Sequence, residues 1–161
     1  MSDSAAPVPL VSIIVVCHND GRWLSPCLES IRAQTIFQQT ELIIADNTST
    51  DDTPQKAKSL IANWPNATWF STGGDNGFGV ACNRATDIAR GKYIYLLNPD
   101  LKLEPECVER LLETAEREQA AATGGLVLEY DNNEVQVENC EGFDVFGNGM
   151  PPRKNTRHSW P

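Results

Sequence analysis

The chain has 161 residues, 40% of them hydrophobic and 22% charged, with a formal net charge of -9. That is enough for one domain with a real core. The acidic balance, with no basic stripe, argues against a nucleic-acid-binding surface. The five cysteines (Cys17, Cys27, Cys82, Cys107, Cys140) are odd in number, widely spaced and without a CxxC pair. They are expected to be reduced thiols of a cytoplasmic protein rather than a disulfide framework or zinc site. Residues 1–9 lack the basic region of a signal peptide. The apolar run over 8–17 is too short to cross a bilayer, so no transmembrane segment is expected, and the protein is at most peripheral to a membrane.

The first strand is Val11–Cys17, a β-branched run that implies burial on both faces. Leu24, Cys27, Leu28 and Ile31 then sit at helical spacing, with a proline-marked start at Ser25 and Pro26. A second strand at 41–45 precedes a helix built on Ala57, Leu60, Ile61 and Trp64, with Thr53 as its cap. A weaker third strand follows at 67–70. The third helix, over 77–90, is expected to turn Ala81, Ala85 and Ile88 inward and to stop at Gly91. Tyr93–Leu97 is the fourth strand, and Pro105 opens a fourth helix with Val108, Leu111, Leu112 and Ala115 on one face. A fifth apolar segment at 126–128 and a short hairpin around 131–137 complete the pattern, which fades from Glu141. The alternation predicts an α/β fold: a doubly wound, mostly parallel, Rossmann-like sheet with helices on both faces. Residues 1–9 are read as a flexible N-terminus and 10–140 as the domain. Residues 141–161 are read as an irregular tail, expected to stop short of a further part of a larger protein.

Ligands of such sheets bind beyond the carboxyl ends of the strands. Four successive strand ends here carry short polar residues: 18–20 (HND), 46–51 (DNTSTD), 73–77 (GGDNG) and 98–100 (NPD). Turn chemistry alone accounts for any single one of them; their recurrence at all four points to a site. Asp100, in a tight turn after a buried strand, offers the hard oxygen that Mg²⁺ or Mn²⁺ prefers. Asp46 can accept from a base N–H or a ribose hydroxyl, or simply serve its own turn. The sequence has no GxGxxG after the first strand and no P-loop, which disfavours dinucleotide and P-loop readings.

Together, residues 11–19, 46–53, 75–83 and 91–100 resemble, in order and spacing, the motifs of family 2 glycosyltransferases, which have the GT-A fold. The last segment is similar to the rhamnosyltransferase-like branch. The resemblance implies an inverting transferase that uses a nucleotide-diphospho-sugar, UDP- or dTDP-linked, a divalent cation, and a saccharide or lipid-linked acceptor. On that basis Cys17, His18, Asn19 and Asp46 line the nucleoside pocket with Asn76 and Asn83 nearby, Asn98 places the donor sugar, and Asp100 binds the metal. His18 stands where many relatives have Tyr, and Cys82 where many have Arg. No residue resembles the family's general base. The competing expectations are a non-catalytic nucleotide-sugar-binding module and a sugar-phosphate nucleotidyltransferase, the latter disfavoured by the poor glycine and basic content of 18–22. An unfinished sheet edge makes a homo-oligomer a further expectation.

Overall fold

The computed structural model describes residues 8–74 and 77–128, and the backbone of 142–143 and 149–150. The chain divides into two compact units, residues 1–113 and 114–161. The first unit holds β1 (Val11–Cys17), α1 (Leu24–Arg32), β2 (Thr40–Asp46), α2 (Thr53–Ile61), β3 (Ala67–Ser71), α3 (Phe78–Ile88), β4 (Tyr93–Leu97) and the start of α4 (Cys107–Glu118). The second holds the end of α4, an irregular stretch to residue 128, and the antiparallel pair β5 (Gly142–Phe143) and β6 (Gly149–Met150).

The four strands of the first unit are parallel and ordered β3-β2-β1-β4. β1 and β2 lie at the centre, and all seven residues of each are buried. This is why their sequences are almost continuously apolar. The chain winds outward from β1 through β2 to β3, then returns to place β4 on the other side of β1. The point where winding reverses therefore falls between β1 and β4.

α1, α2 and the first turn of α4 pack on one face, around Ile13, Val15, Leu24, Leu28, Ile31, Ile44 and Val108. α3 packs on the other through small residues, Ala81, Cys82 and Ala85, against Ile14, Val16, Ile43 and Ala45. Helices thus flank both faces, as the alternation predicts. Ile88, expected inward, is instead 48% exposed. It is the last residue of α3, which rests on β1 and β2 and leaves its end uncovered. Ile94 and Leu96 of the edge strand β4 are likewise exposed.

Smaller corrections concern helix starts and the fifth apolar segment. α1 begins at Leu24, ahead of the Ser25–Pro26 signal. α2 begins at Thr53 itself, and Asp51 Oδ1 accepts from Thr53 N at 2.9 Å, so the capping oxygen comes from two residues upstream. Residues 126–128 form no strand beyond a single bridge at Leu128, and Leu126 and Leu128 are exposed. The expected hairpin at 131–137 lies outside the described residues. Cys17, Cys27 and Cys82 are buried, Cys107 is half-buried, and none of these four is in a disulfide; Cys140 lies outside the described residues.

Candidate functional site

The register brings the strand ends level. Cys17 lies opposite Asp46, and Asp46 opposite Ser71. Leu97 lies opposite Val15, so the turn after β4 follows immediately beside the end of β1. Backbone bonds continue the sheet past its formal end: Asn47 N donates to Cys17 O at 2.8 Å and Thr72 N to Asp46 O at 2.9 Å.

Asp46 is 3% exposed and divides its two oxygens between two roles. Oδ2 accepts from Ser49 N at 3.2 Å, which shapes the loop after β2. Oδ1 is fully buried and has no hydrogen-bond partner among the described residues. A buried carboxylate oxygen without a donor is costly, so this atom is a ready acceptor for a ligand N–H or O–H.

The loops after β1 and β2 are latched to each other. The Asn19 side-chain oxygen accepts from Thr50 N at 2.8 Å and Asp51 N at 3.2 Å, while Asn19 N donates to Ser49 Oγ at 2.9 Å. His18 Nδ1 lies 2.7 Å from Asn47 O. A carbonyl only accepts, so Nδ1 carries a proton and donates, while Nε2 lies 3.4 Å from Asn19 Nδ2. Asn19 (φ 61°) and Thr48 (φ 65°) both hold left-handed backbone that non-glycine residues rarely adopt. These strained positions cluster at the carboxyl end of the sheet.

Asp51 completes the latch, accepting from Thr53 N and from Gly21 N at 3.3 Å. Its hydrogen bonds to Thr53, and then to Gly21, hold its carboxyl below the usual aspartate range.

Past β3, Thr72 is buried, with its hydroxyl between Asn47 Oδ1 (3.1 Å) and Gly74 O (2.9 Å). The Arg84 guanidinium reaches back from α3 to donate to Thr72 O. Gly73 and Gly77 adopt φ of 73° and 77°. Asn76 lies outside the described residues. Asn83 is exposed on α3, and no described hydrogen bond joins it to the strand ends.

After β4, Leu101 N donates to Asn98 O at 3.2 Å, closing a turn in which Asp100 is exposed. Cys27 Sγ, on α1, lies 3.9 Å from the same carbonyl. Burial, then the nearby charge of Asp100 and Asp20, pushes the Cys27 thiol up to about 12. The Cys17 thiol is pushed well above its usual range by burial and then by Asp20, Cys27, Asp46 and Asp51. Both thiols are therefore held in the protonated form rather than as nucleophilic thiolates. Asp20 acts on both sulfurs, Asp46 and Asp51 on Cys17 and Asp100 on Cys27, in keeping with strand ends that the register sets side by side.

Cys17, His18, Asn19, Asp46, Asn98 and Asp100 are thus brought to one end of one sheet. Thr72 and Arg84, which build its β3 side with Asn47, were not singled out from sequence. The position of Thr72 just past a strand end was the available signal.

This arrangement is that of a GT-A fold, and solved structures share it. A mannosyltransferase from Pyrobaculum calidifontis (PcManGT), in complex with GDP-Man and Mn²⁺, superposes with a TM-score of 0.62 at 24% identity, covering 75% of this chain and 36% of that one. S. aureus TarS 1-349 in complex with UDP-GlcNAc gives 0.62 at 19% identity, covering 76% and 38%. The chain belongs to Glycosyl transferase family 2, whose model matches residues 12–161. It is 37% identical to a chondroitin synthase of Escherichia coli over 115 residues, 71% of this chain and 16% of that protein. It is 29% identical over 136 residues to an N-acetylglucosaminyl-diphospho-decaprenol L-rhamnosyltransferase of Mycobacterium tuberculosis, covering 77% and 43%. The chain thus spans less than half the length of these relatives.

Proposed function

We propose that this chain is the donor-binding part of an inverting glycosyltransferase, which moves a sugar from a nucleotide-diphospho-sugar to an acceptor hydroxyl with the help of Mg²⁺ or Mn²⁺. The observation that carries this reading is the pairing, at one sheet end, of a buried unpartnered acceptor with an exposed turn carboxylate. Asp46 Oδ1 is the first and Asp100 the second.

Asp46 receives a base or ribose donor at the bottom of the crevice. Cys17 forms the floor, while His18 and Asn19 fix the wall that joins the first two loops. Asn83 on α3, and Asn76 shortly before it in the sequence, border the nucleoside, and Asn98 orients the donor sugar beside the turn.

Asp100 fits a hard divalent cation through an oxygen that is hydrogen-bonded to no described side chain. Among the described residues no cluster of three ligands exists. Such a donor set suits an ion whose remaining ligands are phosphate oxygens and water, as is usual for Mg²⁺. When bound, the ion would neutralise charge on the departing nucleoside diphosphate.

The names of the relatives agree with this class of donor: GDP-Man with Mn²⁺ for the Pyrobaculum enzyme and UDP-GlcNAc for TarS. The mycobacterial relative acts on a diphospho-decaprenol, which favours a lipid-linked or saccharide acceptor here. No helix among the described residues is long and apolar enough to cross a membrane. Together with the unpaired thiols, this favours a cytoplasmic location, peripheral to the membrane that would carry such an acceptor. Ile94 and Leu96, exposed on the edge strand, favour self-association of residues 10–140.

The reading is tested by isothermal titration of the wild-type chain and Asp100→Ala with UDP, dTDP and GDP, each with Mn²⁺ or with EDTA. One nucleotide should bind more tightly with Mn²⁺, and the gain should vanish in the variant. Failure of all three to bind would overturn the reading. Binding without sugar transfer to any acceptor would assign the chain as a nucleotide-sugar-binding module.

A further inference from the structure

The turn that carries Asp100 begins a connection with no ladder of its own. Residues 98–106, between β4 and α4, form neither helix nor strand. What fixes them is α1 and the residues just past its end.

Ser30 and Gln34 are each 4% exposed. Ser30 Oγ donates to Cys27 O at 2.7 Å within its own helix and accepts from Leu103 N at 3.0 Å. Gln34 Nε2 donates to Ser30 O at 3.1 Å and to Glu104 O at 2.8 Å, while its Oε1 accepts from Val108 N at 3.1 Å. Two carbonyls need a donor and one amide needs an acceptor, so these partners fix the orientation of the carboxamide without ambiguity. Val108 N belongs to the first turn of α4, where backbone amides have no partner inside the helix. Gln34 thus caps a helix more than seventy residues away in sequence. Thr35 adds two further ties: its N donates to Pro105 O at 2.9 Å and its hydroxyl to Glu109 Oε2 at 2.7 Å.

These bonds hold both ends of the span 103–109, while Leu103 is buried against the core beneath it. The upstream end is the turn of Asp100, seated by Cys27 Sγ against Asn98 O. α1 and the residues just past its end therefore hold the path away from the carboxylate at Asn98 and again from Leu103 onward, and the same helix leads out of the loop that contains His18 and Asn19.

We infer that Ser30 and Gln34 are positioning residues for Asp100: buried in α1 and just past its end, they set where the turn carboxylate stands relative to Asp46 and so control the cation-dependent part of nucleotide binding. The inference rests on the reading of Asp100 as the cation ligand. Groups hydrogen-bonded directly to a metal ligand change metal affinity by about 10- to 100-fold when removed; Ser30 and Gln34 act through the backbone of 103–108, so the lower end of that range is expected.

The test compares wild type, Ser30→Ala and Gln34→Ala. Ser30→Ala removes one acceptor and should keep the fold, so it decides the matter if Gln34→Ala does not fold. Folding is checked by circular dichroism and by the thermal midpoint. Each folded variant is titrated with the nucleoside diphosphate, among UDP, dTDP and GDP, that wild type binds best, once in Mn²⁺ and once in EDTA. Affinity in Mn²⁺ should fall about tenfold or more, while affinity in EDTA stays within about twofold of wild type. A purely structural role would move the thermal midpoint and leave the Mn²⁺-to-EDTA ratio unchanged. That unchanged ratio, or an equal fall in both conditions, overturns the inference while the site reading stands. Absence of any Mn²⁺-dependent binding in wild type overturns the site reading, and this inference with it.

Discussion

The two ends of the four-stranded sheet are both rich in polar side chains, yet they are built on opposite plans. At the amino end, Glu41 is buried and saturated: it accepts from Ser12 Oγ at 2.6 Å, Arg90 N at 2.5 Å and Arg90 Nε at 2.9 Å, and pairs with Arg90 Nη2 at 2.8 Å. Ser12 Oγ in turn accepts from Gly91 N at 2.8 Å. Burial alone would raise the Glu41 carboxyl, but the Ser12 hydroxyl and then Arg90 outweigh it and hold the group below its usual range. At the carboxyl end, Asp46 is equally buried but keeps one oxygen without a partner, and Asn19 and Thr48 hold left-handed backbone. Satisfied polar groups at one end fasten strands together. At the other end, groups left unsatisfied or in left-handed backbone are what the proposed ligand would complete.

The comparison can be broken by substitutions whose effects should separate cleanly by end. The largest effect is expected for Gly91→Ala. A Cβ there would meet Ser12 N at 2.4 Å and Val11 C at 2.7 Å, backbone atoms that cannot step aside. Urea denaturation should show a loss of about 3 kcal/mol, with nucleotide affinity of the folded protein unchanged. Next comes Asp46→Asn at the other end. Losing a charged acceptor should weaken nucleotide binding by about 2 kcal/mol, roughly 30-fold, with only a small change in the urea midpoint.

Glu41→Gln should cost about 1.5 to 2 kcal/mol of stability at neutral pH. Because the folded carboxyl titrates below its unfolded value of 4.5, its contribution is complete above that pH. It is lost as pH falls through the lower folded value. Stability of wild type and variant, followed by urea melts between pH 7 and 3, should therefore converge on acidification. The smallest effect is expected for Thr48→Gly. Relief of the positive φ and the added freedom of glycine nearly cancel, leaving stability within about 0.5 kcal/mol. The loosened latch should still weaken nucleotide binding measurably in the same titration.

The two ends also differ in how far they could be read from sequence. β1 and β2 were legible because burial on both faces demands runs such as 11–17, and β4 because 93–97 is apolar throughout, although Ile94 and Leu96 end exposed. The strand-end residues followed, since parallel topology places every strand terminus on one side. What stayed hidden depends on partners distant in the chain. Gln34 reads as an ordinary polar residue after a helix, and nothing local predicts that it caps Val108 or seats Glu104. Glu41 looks like the solvent-facing start of a strand until Arg90 closes over it. Ile88 has the right spacing to face inward, but spacing does not report where the sheet beneath a helix ends. Likewise, 126–128 has strand composition, yet its leucines are exposed.

The central claim is that nucleotide enters the crevice between the ends of β1 and β4, and amide chemical-shift mapping tests it most directly. A ¹⁵N-labelled chain titrated with the best-binding nucleoside diphosphate and Mg²⁺, which leaves the resonances unbroadened, should show its largest shifts at 17–19, 46–51, 72–74 and 98–101. The amides of Ser12, Glu41, Arg90 and Gly91 should be unmoved. Shifts centred on the amino end of the sheet, or on the outer faces of the helices with the strand ends silent, would contradict the account.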